Sequence, residues 1–180
     1  VKWKGQELVC QINYYQLRHI DTLGTLLHIW SPAIWIKDWW ANDTVLVTAT
    51  PDSISLWHLP GLTLWKSFDV TDQIEDQGNV VLTSDNYLSV VGAYSTEGPL
   101  AKIFFSTSSN VHSIEIKSGK IRTVWEQFDC IILEKGLDMS HNNVHVAASI
   151  SEMLKGRKEQ HGLVVMTEHG YDREWIMLPK

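Results

Sequence analysis

The chain has 180 residues, a length that can bury a sizeable core without disulfides or metal. It is 44% hydrophobic and 20% charged, with a formal net charge of −6. This composition excludes a mainly disordered chain, and the charge disfavours nucleic acid as a partner, because nucleic-acid binding depends on clustered cations.

Alternating apolar and polar residues along the whole chain predict β-strands. Each of four predicted hairpins follows at least one further predicted strand. In chain order, the strands and hairpins are predicted at residues 7–12, 16–30, 35–40, 44–49, 53–65, 79–83, 88–94, 111–125, 130–133, 143–149 and 163–175. Residues 150–159 are predicted as a polar loop or a single helical turn, because they are densely charged and contain Gly156.

The four hairpins share one pattern and indicate an internal repeat. A glycine lies at each tip, where a tight turn between twisted strands needs a positive φ, and a tryptophan lies on each outgoing strand. The glycines are Gly24, Gly61, Gly119 and Gly170, and the tryptophans are Trp30, Trp65, Trp125 and Trp175. The sequence therefore predicts one repeated sheet of four strands, a to d, with strand a missing from the first copy.

Residues 43–62 carry a resemblance to a known family. They form a hydrophobic strand, a turn bearing Asp52, and an alternating strand ending in Trp57-His58. This segment resembles a blade of the WD40 family, with Trp57-His58 in the place of the family's Trp-Asp pair and Asp52 in the place of the acidic residue of its b–c turn. The other copies are degenerate: Ile20-Asp21 keeps an aspartate, whereas Ile116-Lys117 and Thr167-Glu168 do not, and no copy has the family's Gly-His pair.

The resemblance implies an all-β fold, a partial or divergent WD40-like β-propeller of about four blades of four-stranded antiparallel sheet. We expect a single propeller domain, or a portion of one, over residues 1–180, with blades at about 1–34, 35–76, 77–128 and 129–180. With strand a missing from the first copy, the blades do not easily close a ring, and complete propellers typically have about 4–8 blades. The chain is therefore either an unusually small propeller or, as we expect, part of a longer one.

Nine tryptophans suggest two different roles. Trp30, Trp57, Trp65, Trp125 and Trp175 recur at equivalent hairpin positions, and we expect them to pack between blades. Trp39 and Trp40 are adjacent, so on a strand they face opposite sides and one of them is a candidate partner contact.

Charged clusters supply the remaining candidates for partner binding, although solvated loops are the simpler interpretation of both. Asp72, Glu75 and Asp76 lie in an acidic stretch between the second and third copies. Lys155, Arg157 and Lys158 form a basic loop in the fourth copy.

No pattern in the sequence points to catalysis, a metal or a cofactor. His141 and His145 have the spacing of ligands on a helix, but they lie in a predicted turn and strand. No nucleophile elbow, phosphate loop or nucleotide fingerprint is present. His19 and His58 are expected to be polar strand residues with hydrogen-bond partners.

Cys10 and Cys130 lie in apolar runs and are interpreted as free thiols, which favours the cytoplasm or nucleus. No segment approaches the roughly 18 apolar residues of a membrane span, so we expect no membrane insertion.

The sequence as a whole favours a non-catalytic scaffold or adaptor that binds protein partners within a multi-subunit complex. Similar propellers occur in substrate receptors of ubiquitin ligases of the F-box type and in tethering or checkpoint proteins. One alternative is a carbohydrate-active or carbohydrate-binding β protein, which would be favoured by glycosylation of the sequon at Asn42 or by Trp39, Trp40 and carboxylates meeting in one pocket. A second alternative is an irregular β-sandwich.

Overall fold

The structure, a computed structural model, describes residues 2–4, 7–59, 61–72, 89–94, 100–107, 110–126, 130–139, 145–152, 160–167 and 174–177. Within these ranges the chain forms four antiparallel sheets of four strands each. In every sheet the strands lie side by side in the order of the sequence. The prediction of an all-β chain with repeated four-stranded antiparallel sheets is confirmed.

Eight strands form the first two sheets. The first sheet contains β1 Lys2–Lys4, β2 Glu7–Asn13, β3 Gln16–Ile20 and β4 Leu26–Trp30. The second contains β5 Asp38–Ala41, β6 Val45–Ala49, β7 Ser53–His58 and β8 Thr63–Asp69.

Eight further strands form the third and fourth sheets. The third sheet contains β9 Ser89–Tyr94, β10 Leu100–Ser106, β11 Asn110–Glu115 and β12 Ile121–Glu126. The fourth contains β13 Cys130–Met139, β14 His145–Glu152, β15 Gln160–Thr167 and β16 Glu174–Met177.

The four sheets belong to two compact units. The first two sheets lie in Val1–Glu75 and the last two in Asp76–Lys180. The single domain over residues 1–180, with blade boundaries near 34, 76 and 128, stays a prediction.

Two strand predictions were wrong. The first sheet has its strand a: β1 pairs with β2, with Trp3 opposite Leu8. In the third sheet, β10 was not predicted from the sequence. Residues 89–94 of the segment predicted as strand b therefore form strand a instead. Ile103, Phe104 and Phe105 of β10 are all fully buried, and a strand buried on both faces does not alternate. The strand predicted at 79–83 lies outside the described residues.

Two hairpin tips contain a glycine with a positive φ, as predicted. Gly24 has φ 83° and Gly119 has φ 73°. At the tip between β7 and β8 the prediction was wrong, because Leu62, with φ 52°, takes the left-handed conformation instead of Gly61. Gly170 lies outside the described residues.

The segment 150–159 was expected to be a loop or a helical turn, but its first three residues complete β14. Residues 153–159 lie outside the described part of the chain.

A buried cluster joins the two sheets of the first unit. Its members come from β2, β3, β4, β5 and β6 and from the connection at residues 31–37, and they are Val9, Leu17, Trp30, Ile36, Trp39, Ala41 and Leu46. Each is at most 7% exposed, and burial of this kind contributes about 25 cal/mol per Å² of apolar surface. The connection between the sheets is therefore part of the core, which fixes the residues on its outer side.

Candidate functional site

A hydrogen bond between neighbouring strands organises the second sheet. Trp57 of β7 donates its indole Nε1–H to Thr48 Oγ1 of β6 at 2.9 Å. Thr48 is fully buried, so this bond satisfies a polar group that would otherwise be costly inside the sheet. The Trp57 side chain is thereby held across strands b and c.

The turn between β6 and β7 recurs in the third sheet. In the second sheet the Thr50 N–H donates to Ser53 O at 2.8 Å, and the Ser53 N–H donates to Thr50 Oγ1 at 3.0 Å. In the third sheet the Thr107 N–H donates to Asn110 O at 2.9 Å, and the Asn110 N–H donates to Thr107 Oγ1 at 3.3 Å. A threonine three residues before the next strand is thus a second repeated feature, independent of the glycines and tryptophans.

No family model and no curated protein matches the chain. Among solved structures it is similar to Hsv2 from Kluyvelomyces marxianus, at 10% identity and a TM-score of 0.49, over 92% of this chain and 55% of that one. It is also similar to the WD40 domain of SCAP from fission yeast, at 11% identity and a TM-score of 0.47, over 99% and 46%. A third similar structure is BamB from Moraxella catarrhalis, at 10% identity and a TM-score of 0.43, over 98% and 62%. The chain spans about half the length of these structures.

The repeated antiparallel sheets and the repeated b–c turn decide the fold. The chain is all-β and is built from repeated four-stranded antiparallel sheets. In each such sheet, the b–c turn and the connection that follows strand d lie at the same end, because strands a and c run opposite to b and d.

This end of the first unit carries exposed aromatic and apolar side chains. Tyr14 and Tyr15 occupy the turn between β2 and β3 and are each 56% exposed, Ile12 is 49% exposed, and Trp35 in the following connection is 40% exposed. The rings of Tyr14 and Trp35 meet edge to face with centroids 5.6 Å apart, and Lys37 Nζ lies 4.5 Å from the centre of the Trp35 ring. We call Ile12, Tyr14, Tyr15 and Trp35 the turn surface.

Backbone hydrogen bonds hold the turn surface in place. The Ile36 N–H donates to Tyr14 O at 2.6 Å, and the Gln11 side-chain amide donates to Ile36 O at 3.0 Å. Ile36 itself is fully buried, and Ala33 is held at φ 57°, a conformation that costs a non-glycine residue about 1 kcal/mol or more. The connection therefore presents Trp35 from a fixed backbone.

Three exposed carboxylates lie at the same end of the second sheet. The Lys37 N–H donates to Ala49 O at 2.8 Å, which joins the connection to the strand that precedes the Asp52 turn. The Val70 N–H donates to Asp52 O at 2.9 Å and so places Asp69 beside that turn. Asp72 follows and is exposed. Hydrogen bonds from the Thr71 side chain and backbone lower the pKa of Asp69, which favours its charged form.

The predicted site residues differ in burial, and several lie outside the described residues. Trp39 is only 2% exposed and belongs to the buried cluster, so its ring supports sheet packing, and its role as a partner contact stays a prediction. Trp40 is half-buried and Asp72 is exposed. Outside the described residues lie Glu75, Asp76, Lys155, Arg157 and Lys158.

The hairpin tryptophans also differ in their exposure. Trp30 and Trp125 are each 2% exposed, as expected of packing residues, and Trp57 packs against the buried cluster. Trp65 is 37% exposed and stacks on His58 with ring centroids 5.1 Å apart, so the expectation of a packed residue was wrong there. The Trp175 side chain lies outside the described part of the structure.

Sequence reasoning missed Tyr14, Tyr15 and Trp35. A signal was present for the first two, because Asn13 is typical of a turn and its side-chain oxygen accepts the Tyr15 N–H at 2.8 Å. Aromatic residues within so short a turn cannot both enter the sheet interior. No local signal exists for Trp35, whose exposure depends on the path of the connection.

Titratable groups in the described residues do not gather into a metal site. His19 is buried, with Nε2 2.6 Å from Glu7 Oε2, which confirms the expected hydrogen-bonded strand histidine. The side-chain oxygen of Asn42 accepts the N–H groups of Thr44 and Val45 at 2.8 Å each. Its side-chain nitrogen is buried and has no hydrogen-bond partner among the described residues.

Cys10 is half-buried and its thiol is free, whereas the Cys130 side chain lies outside the described part of the structure. The described residues also contain no helix of the length and apolar character needed to cross a bilayer.

Removing the acceptor of the Trp57 indole tests the bond that organises the second sheet. We expect Thr48→Val to lower the free energy of unfolding by about 1–2 kcal/mol, because the indole N–H loses its partner. The measurement is urea unfolding followed by circular dichroism. Thr63→Val, the same change at an exposed position of β8, is the matched control, and equal effects of the two changes would contradict a role for the bond.

Proposed function

We propose that this chain is a non-catalytic protein-interaction scaffold that binds a partner through the turn surface of its first unit. The observation that carries the proposal is the exposed cluster of Ile12, Tyr14, Tyr15 and Trp35, presented from turns fixed by hydrogen bonds. Exposed large apolar patches on soluble proteins commonly mark interaction sites.

The chemistry of the turn surface fits an interface better than it fits catalysis. Tyrosine and tryptophan are the residues in which interface binding energy concentrates, since they offer large contact areas at a low cost in side-chain entropy. The surface contributes no pair of a nucleophile and a base, which acyl transfer would require. The backbone bonds to Tyr14 and Ala49 reduce the ordering cost of binding, which supports a preformed site.

Assembly into a multi-subunit complex in the cytoplasm or nucleus is part of the same proposal. The free thiol of Cys10 supports the proposed location, because free thiols are typical of reducing compartments. The net charge of −6 favours protein partners over nucleic acid. The class of complex is left to the experiment.

Affinity purification of the tagged chain from its source cells, followed by mass spectrometry, tests the proposal when variants are compared side by side. The wild-type chain is compared with the double variant Tyr15→Ala and Trp35→Ala. Leu23→Ala is the matched control, since Leu23 is 89% exposed at the hairpin tip between β3 and β4. We expect at least one stoichiometric partner to be lost with the double variant and kept with Leu23→Ala.

Two results would contradict the proposal. One is the recovery of the same proteins with wild-type chain and double variant. The other is a catalytic activity of the purified wild-type chain that the double variant retains. Circular dichroism of each variant establishes that a lost partner reflects the surface and not unfolding.

A further inference from the structure

The turn surface does not stand alone, because it is continuous with the three carboxylates of the second sheet. From Trp35 the chain passes through Lys37, whose N–H is bonded to Ala49 O. Ala49 leads directly into the turn that carries Asp52. The Val70 N–H then ties Asp69 and its neighbours to that turn. One end of the first unit therefore presents an aromatic part and an acidic part side by side.

The acidic part is exposed and fixed. Asp52 accepts a hydrogen bond from Thr50 Oγ1 at 2.6 Å, and Asp69 accepts one from the Thr71 N–H at 2.9 Å. None of Asp52, Asp69 and Asp72 forms a salt bridge with another described residue. The ammonium of Lys37 lies instead over the Trp35 ring. Because Asp52, Asp69 and Asp72 are all exposed, they offer an acidic surface to a partner.

We propose that this surface binds an extended peptide segment of a partner in which an apolar or aromatic anchor is followed by basic side chains. The inference rests on the proposed scaffold function and adds the chemistry of the ligand. The anchor packs among Tyr14, Tyr15 and Trp35, and the basic side chains lie against Asp52, Asp69 and Asp72. Complementary charge of this kind sets specificity and speeds association.

A second copy of the chain fits this surface less well than a basic segment does. The copy carries the same three carboxylates and the same net charge of −6, so pairing the surface with itself brings like charges together. A partner with an acidic segment meets the same repulsion.

Selection from a random library of dodecapeptides displayed on phage tests the inference without assuming a partner. The full chain is immobilised, and peptides that also bind the double variant Tyr15→Ala and Trp35→Ala are removed. We expect the retained peptides to be enriched in arginine and lysine next to a single aromatic or aliphatic residue. The most enriched peptide, labelled with a fluorophore, then serves as the probe for anisotropy titrations.

The titrations separate the two parts of the surface. We expect the triple variant Asp52→Asn, Asp69→Asn and Asp72→Asn to bind the probe about tenfold more weakly and to lose most of the salt dependence of binding. Leu23→Ala is expected to bind as the wild-type chain does. Far-UV circular dichroism and urea unfolding of the triple variant establish that it is folded.

Several results would overturn the inference. They are a selection that enriches no peptide specific to the turn surface, a selection that enriches acidic or uncharged peptides, and a triple variant that binds the probe unchanged. Self-association of the wild-type chain in sedimentation, lost with Tyr15→Ala, would assign the surface to a second copy. The proposed scaffold function survives each of these if affinity purification still yields a partner that depends on Tyr15 and Trp35, so the two failures are distinguishable.

Discussion

Replacing Trp39 with alanine is expected to lower the free energy of unfolding by about 3–5 kcal/mol, the range measured for large buried aromatic residues. The Trp39 ring is 2% exposed and packs in the cluster that joins the two sheets of the first unit. Its removal leaves a cavity bordered by residues that the β-sheet backbone holds in place, so collapse around the gap is limited. The measurement is urea unfolding followed by circular dichroism.

Trp35 is the matched control for this prediction, because the chemical change is the same at a site only four residues earlier in the chain. Trp35 is 40% exposed, so Trp35→Ala is expected to cost about 1 kcal/mol or less and to reduce partner binding instead. If Trp39→Ala were as stable as wild type and failed to bind the partner, Trp39 would be a contact residue, as one reading of the sequence allowed.

The contrast between Trp39 and Trp35 shows which part of the site could be predicted from the sequence. Alternation on a strand requires that Trp39 and Trp40 face opposite sides, but it does not say which side is buried. That choice comes from the register of β5, in which Trp39 lies opposite Thr48 and Trp40 opposite Val47, and from the packing of the neighbouring sheet. Both are nonlocal.

The exposure of Trp35 is nonlocal in the same sense. It depends on the bond from the Ile36 N–H to Tyr14 O, between residues that lie far apart in sequence. The hairpins, by contrast, were predictable because their strands alternate and their turns contain glycine, both of which are local signals. Strand β10 was missed because its run of Ile103, Phe104 and Phe105 is buried throughout.

In the first unit, the residues that contribute to stability and those proposed to bind a partner lie on opposite faces of the same connection. The buried face of the connection at residues 31–37 contributes Ile36 to the core, while its outer face presents Trp35. A partner that contacts the outer face therefore meets a surface whose backbone is already fixed by the core, and changes to the exposed rings can alter binding without unfolding the sheets.

His112 of the second unit is expected to make the stability of the chain depend on pH. The imidazole is 2% exposed in β11 and stacks on Phe105 of β10 with ring centroids 4.8 Å apart. Its Nδ1 lies 3.2 Å from Thr123 Oγ1 of β12, and its Nε2 is buried without a hydrogen-bond partner among the described residues. Burial lowers the pKa of His112 to about 4, because the interior disfavours the charged ring.

The sign of the pH dependence follows from this lowered pKa. In the unfolded chain a histidine has a pKa of about 6.5, so between about pH 6.5 and pH 4 the unfolded state binds the proton and the folded state does not. The stability that His112 contributes is therefore fully present above about pH 6.5 and decreases as the pH falls toward 4. The loss amounts to roughly 3 kcal/mol at most.

Urea unfolding at several pH values between about 7 and 4 measures this dependence. Carboxylates also titrate at the acid end of this range, so the comparison that isolates the imidazole is made between variants. We expect His112→Phe to unfold with a smaller change in stability between about pH 6.5 and pH 5 than wild type, because no buried imidazole remains to be protonated. His58→Asn removes an exposed imidazole from β7 and is expected to keep the wild-type slope, since His112 is still present. An unchanged slope in His112→Phe would mean that another group carries the pH dependence.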